Sequence, residues 1–141
     1  MSKGNTFEND LMKLIFNKVS ITGIATAATG TANFYISLHT GDPGEAGNQT
    51  SSEVAYGPYA RVAKARTTGV WTVTTGSVSP VANIDFAACT GGTTGIATHF
   101  GIGTAATGTG YLLYSGTVTP NISITVGVTP RLTTASTVTE G

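Results

Sequence analysis

The chain has 141 residues, seven Lys+Arg against seven Asp+Glu, and one cysteine. That length suits one domain without a second core of comparable size, and a neutral chain with 10% charged residues lacks the basic stripe that a nucleic-acid partner requires. Cys89 alone excludes an intrachain disulfide framework and a multi-thiolate zinc site, and no apolar run approaches the roughly 20 residues of a membrane helix.

Glu8, Asp10 and Lys13 interrupt the apolar stretch that a secretory leader needs, so none is expected. Thr, Gly, Ala and Ser supply 72 residues, and only 31 are Ile, Leu, Val or Phe. Low net charge with abundant Thr and Val favours pleated strands over disorder. The core is nevertheless thin, which points to a chain that draws part of its stability from a partner surface.

Residues 5–18 carry the one helical pattern. Asn5 is placed to cap it with Glu8 three residues on, and Phe7, Leu11, Leu14 and Ile15 form one apolar stripe that Met12 and Phe16 widen. This stripe either covers a sheet or docks as an arm on a neighbouring subunit. The expected organisation is therefore a helix or arm over 1–19 and a β-sandwich domain over 20–141.

Phe34, Ile36 and Leu38 alternate with Tyr35, Ser37 and His39 in a half-buried strand, followed by a turn-rich loop over 40–50. A weakly apolar strand over 59–66 comes next, then VWTVTT at 70–75 and a strand over 81–87. Residues 96–102 and 111–119 read as a hairpin around the loop 103–110. Further strands are expected at 122–128 and 131–139. About eight strands with regular turn signals predict an all-β, antiparallel β-sandwich of jelly-roll type with one N-terminal helix. GIATAATGTA (23–32) and GIGTAATGTG (101–110) match at eight of ten positions, but their flanks differ, so both read as loop sequence.

No constellation for catalysis emerges. GIGTAA at 101–106 imitates a dinucleotide fingerprint without the helix that would receive a pyrophosphate. Cys89 has no neighbouring cation to activate it toward His99 and reads as a small buried apolar residue. His39, Asp42 and Glu45 span a Gly- and Pro-rich loop without ligand periodicity. No cofactor, metal, nucleic acid or membrane partner is expected, and no enzyme activity. Tyr56, Tyr59, Trp71, Tyr111 and Tyr114 suit a core or a subunit contact. Arg61, Lys64 and Arg66 suit a solvated strand face or carboxylates on a partner. The candidate interface set is thus Phe7, Leu11, Leu14, Ile15, Tyr56, Tyr59, Arg61, Lys64 and Arg66.

FYISLHTGDPGEAGNQTSSEVAYGPYARVAKAR (34–66), the Trp71 strand and THFGIGTAATGTGYLLYSG (98–116) resemble small virion proteins of tailed bacteriophages, often labelled tail-fibre proteins. They are also similar to the capsid cement or decoration proteins of short-tailed phages. The latter resemblance implies a homodimeric, non-enzymatic sandwich made in the host bacterial cytoplasm. It would lie on the outer capsid surface, bind the major capsid protein, and stabilise contacts between capsomers. The alternative is a tail-fibre or baseplate component involved in host recognition. A carbohydrate-binding or hydrolytic sandwich is the third reading, but no strand context pairs Asp42, Glu45, Glu53 or Asp85 for hydrolysis.

Overall fold

A computed structural model describes residues 3–27 and 31–139. Its elements in chain order are α1 (Asn5–Asn17), β1 (Asn33–His39), β2 (Tyr56–Gly57), β3 (Val62–Ala65), β4 (Trp71–Thr74), β5 (Ser77–Pro80), β6 (Ile84–Asp85), β7 (Gly91–Gly92), β8 (Gly95–Gly103), β9 (Leu112–Ile124), β10 (Arg131–Leu132) and β11 (Val138–Thr139). They fall into two units. A helical unit draws on 1–32, 65–83 and 133–141, and a hairpin unit on 33–64 and 84–132.

In the helical unit, α1 packs on a three-stranded sheet of order β11-β5-β4. Its cap differs from the expectation. Gly4, in extended conformation, is the N-cap and gives no side-chain bond, while Asn5 already lies inside the helix. Glu8 instead donates its amide to the Gly4 carbonyl (3.0 Å) and sets its carboxylate in the first turn, where the helix dipole favours it. Lys18, left-handed at φ 56°, ends the helix by returning its amide to the Lys13 carbonyl. The fully buried pair is Met12 and Phe16, an i, i+4 line, because the Phe16 ring meets the edge of Trp71 at 5.1 Å. Phe7 stays 38% exposed, and Leu11, Leu14 and Ile15 are half-buried.

β4 lies within the expected 70–75 stretch, and with β5, a strand not among those expected, it forms a hairpin. Thr75 (φ 49°) and Gly76 (φ 73°) close it between Thr74 and Ser77, and two successive positive φ values are the signature of the tight turn that matches strand twist.

The hairpin unit is built on a four-stranded sheet of order β3-β1-β8-β9. The predicted 96–102/111–119 hairpin forms its β8–β9 half, with Phe100 opposite Gly116 and Ile102 opposite Tyr114. β1 adds Ile36 opposite Ile102 and Leu38 opposite Phe100, giving one apolar face. Two minimal pairings, β2 with β7 and β10 with β6, complete the unit.

The fold is all-β with one helix, as expected, but the jelly-roll sandwich is not formed. Four separate open sheets of four, three, two and two strands take its place. The strands expected at 81–87 and 131–139 shrink to two-residue pieces, so too little continuous strand remains to close two facing sheets. The strand expected at 122–128 is instead the end of β9, which crosses an irregularity opposite the segment between Ala97 and His99. In the local repeat, 101–110 ends β8 and forms the hairpin loop, while the 23–32 copy includes positions 28–30, outside the described residues.

Candidate functional site

The second face of the β1-β8-β9 sheet is polar, and the turn-rich loop after β1 covers it. Ser37 and His39 alternate with the apolar residues of β1 and so point away from the apolar core, yet both are fully buried. Thr40 donates its amide to the Ser52 carbonyl (2.7 Å), and Val54 to the Leu38 carbonyl (3.0 Å), which folds the loop back over the strand. His39 Nδ1 lies 2.7 Å from the Ser51 carbonyl, which can only accept, so Nδ1 carries the proton of the neutral ring. Nε2 then accepts from the Ser37 hydroxyl at 2.8 Å. Burial holds the His39 pKa below 6.5, and Arg61 and His99 push the same way against the Ser51 carbonyl and Glu53.

This Ser–His pair has the connectivity of a nucleophile with its base, but it is sealed. A Cβ on Gly101 would lie 2.7 Å from both His39 Nε2 and Ser37 Oγ, so the strand backbone itself sits on the pair. No reacting carbonyl could reach Ser37 without opening the sheet. The glycines of GIGTAA are thus accounted for by close packing on buried polar groups.

Two side chains bolt the 40–53 loop to the 104–110 hairpin loop. Gln49, fully buried, donates to the Tyr35 carbonyl (3.2 Å) and accepts from the Ala105 amide (3.0 Å), while its own amide donates to the Thr109 carbonyl (2.8 Å). A Cβ on Gly103 or on Gly110 would collide with its carboxamide. Arg61 is the second bolt. It holds Glu53 with two bonds of 2.7 Å, and its remaining donors reach the carbonyls of Ala105 (3.0 Å) and Gly108 (2.7 Å). The Arg61 side chain is 3% exposed and that of Glu53 15%, so the fork acts where water screens little. Tyr59 joins it, donating to Glu53 (2.8 Å) and accepting the Leu38 amide (3.1 Å). Burial, first, and the bond to Glu53 push its phenol well above the usual range.

Asp42, Gly44, Glu45 and Ala46 of the first loop and Ala106–Thr109 of the second are exposed, as are Thr40, Thr50 and Ser52, with Tyr111 at 69% exposure beside the second loop. An open groove of about 390 Å³ runs between Asp42, Gly44 and Glu45 of the loop and Leu112–Ser115 of β9.

The structure uses much of the expected interface set internally. Tyr56 is buried and donates to the Ala87 carbonyl (2.8 Å), its ring 5.4 Å from that of Tyr59, which stacks in turn on Phe86 at 6.1 Å. Arg66 reaches the carbonyls of Ile15 (2.6 Å), Thr31 (3.1 Å) and Leu14 (3.2 Å), tying the end of α1 within the helical unit. Arg61, Lys64 and Arg66 are all half-buried, and the guanidinium groups of both arginines are bonded within their own unit, which differs from the solvated strand face that is one of the two readings offered. Cys89 donates weakly to the Gly91 carbonyl, and His99 meets the Thr98 hydroxyl (2.9 Å). Among the described residues no group of three or more potential ligands gathers for a metal ion, and both His39 nitrogens are already engaged. The sequence reading missed Ser37, Gln49 and Glu53 as structural centres; the available signal was two turn-rich loops flanking one alternating strand.

No helix among the described residues is long and apolar enough to cross a membrane. No curated protein matches the chain. A family model described as "Podophage GP4 fiber I protein gp80" matches residues 2–140. That finding overturns the expectation of a capsid cement or decoration protein, because the matching family is one of fibre proteins and agrees with the tail-fibre alternative. With nearly its whole length inside that match, the chain belongs to this fibre I family of phage virion structural proteins.

Proposed function

We propose that the chain is a non-enzymatic component of a fibre on a short-tailed phage virion, serving host recognition through the loop end of the hairpin unit. The observation that carries this reading, alongside family membership, is the double bolt of Gln49 and Arg61. Loops usually move, and ordering them costs binding energy. Here two buried side chains meet that cost during folding by tying Gln49 and Glu53 of one loop to Ala105, Gly108 and Thr109 of the other, so that an exposed surface is ready before contact. The sealing of Ser37 and His39 supports a role without chemistry.

The test is competition. Purified protein, added to host cells before infection, should slow phage adsorption, and Glu45→Lys with Thr107→Arg should abolish the competition while leaving the melting temperature unchanged. Antibody to the chain should mark fibres on virions. Labelling spread over the capsid shell, or adsorption indifferent to the added protein, would overturn the reading.

A further inference from the structure

We propose that His39 is an acid-operated latch: when its ring takes a second proton, the turn 50–52 lifts off β1 while the sheet beneath stays closed. The neutral ring fits its site completely, with Nδ1–H donating to the Ser51 carbonyl and Nε2 accepting from the Ser37 hydroxyl. An imidazolium does not fit. Both its nitrogens donate, so Ser37 must turn a lone pair to Nε2 and lose the acceptor of its own O–H in a fully buried position. The groups around the ring add to the misfit. They are Ser51 and Glu53 from the loop, His99 opposite it in β8, and Arg61 with Tyr59 from the segment before β3. Burial, Arg61 and His99 all oppose a charge on the ring. Glu53 favours one, but its carboxylate is already committed to Arg61 and Tyr59.

The ring has one way out. On the sheet side the β8 backbone closes on it, since a Cβ on Gly101 would lie 2.7 Å from Nε2. On the other side lies the turn 50–52. Thr40 and Ser52 are exposed, so water can replace both bonds between them, from the Thr40 amide (2.7 Å) and hydroxyl (3.2 Å) to the Ser52 carbonyl. Ser52 is held at φ 53°, a left-handed conformation unfavourable for a residue with a side chain, so opening also relieves backbone strain. The flanking residues stay fixed, Gln49 by Tyr35, Ala105 and Thr109, and Glu53 by Arg61. The moving piece is thus three residues between two anchors. Thr50 and Ser52 belong to the exposed part of the loop. On the host-recognition reading, on which this consequence alone rests, the surface is ordered at neutral pH and loosened in acid.

Nuclear magnetic resonance on the full chain tests the latch. The ring nitrogen shifts of His39 follow its protonation, and exchange of the Thr40 amide, corrected for the intrinsic rate at each pH, follows opening. The open state binds the proton with an ordinary pKa, so the Thr40 opening constant should rise about tenfold per pH unit from about 6.5 down to the folded pKa. Dilute urea should leave it unchanged, because a three-residue opening exposes little surface, while the Phe100 and Ile102 amides of β8 should exchange faster. His39→Asn should flatten the pH dependence at Thr40. The latch is refuted by an opening constant that stays level while His39 titrates, by Thr40 exchange that responds to urea as β8 does, or by an unaltered pH dependence in His39→Asn. The first two outcomes are read on the natural chain and do not depend on the variant folding. All are properties of the isolated protein, so their failure leaves the adsorption competition, run at neutral pH, to decide the host-recognition reading separately.

Discussion

Arg61 concentrates more structure than any other side chain in the hairpin unit, since it joins Glu53 to two carbonyls of the hairpin loop. Removing one partner of a buried pair strands the other charge, at a cost of about 3–5 kcal/mol. Arg61→Met should therefore destabilise the protein by that order in urea denaturation. Adding Glu53→Leu should recover only part of the loss, because Tyr59 also depends on Glu53. His39 makes a second residue-scale prediction. Its folded pKa is depressed, so between the folded value and the unfolded value of about 6.5 the unfolded chain binds the extra proton. The stability it contributes is complete above pH 6.5 and declines as pH falls through the window below, levelling off under the folded pKa. Melting temperatures should drop on acidification across that window. His39→Asn should melt lower at neutral pH yet lose that segment of the slope.

At the scale of elements, the loops behave as packed structure, and Gly103 tests this. Its position in β8 calls for no special backbone, so alanine would be tolerated if only the strand mattered. The added methyl collides with the Gln49 carboxamide, however, and must expel it from a fully buried site. Gly103→Ala should then cost about 1–3 kcal/mol for each polar group left unpaired, and should raise hydrogen exchange at Ala105 selectively. The same contrast explains what was legible in the sequence. The β8–β9 hairpin and the apolar line Phe34–Ile36–Leu38 could be read because alternation is local and burial follows its period. Burial of Ser37 and His39 was not, because it depends on a distant loop folding back and making their hydrogen bonds. β5 went unseen because Ser77-Val78-Ser79-Pro80 offers one large apolar residue, and its register comes from the Thr75–Gly76 turn. The α1 stripe shifted to Met12 and Phe16 because Trp71, fifty-five positions beyond Phe16, chooses the face.

At the scale of the whole molecule, the chain contains one tryptophan and one cysteine, and the fold gives each unit one of them: Trp71 to the helical unit, Cys89 to the hairpin unit. Both are buried, so fluorescence and thiol reactivity report on the two units separately. Neither unit is a continuous stretch. The helical unit needs 1–32, 65–83 and 133–141 together, and the hairpin unit needs 33–64 with 84–132. While the hairpin unit is folded, β1 and β3 lie in one sheet and bring the chain ends at 32 and 65 near each other. Unfolding it converts the intervening segment into a free loop, whose closure cost the helical unit must then bear alone. The helical unit has little reserve, with one helix and one three-stranded sheet holding a core centred on Met12, Phe16 and Trp71. Loss of the hairpin unit therefore raises the cost of keeping the helical unit folded. In urea, the fluorescence shift of Trp71 and the onset of Cys89 labelling should trace a single transition with one midpoint. A deletion of residues 1–18 should expose Trp71 and lower that midpoint for both probes, whereas two separated transitions would show that each unit stands by itself.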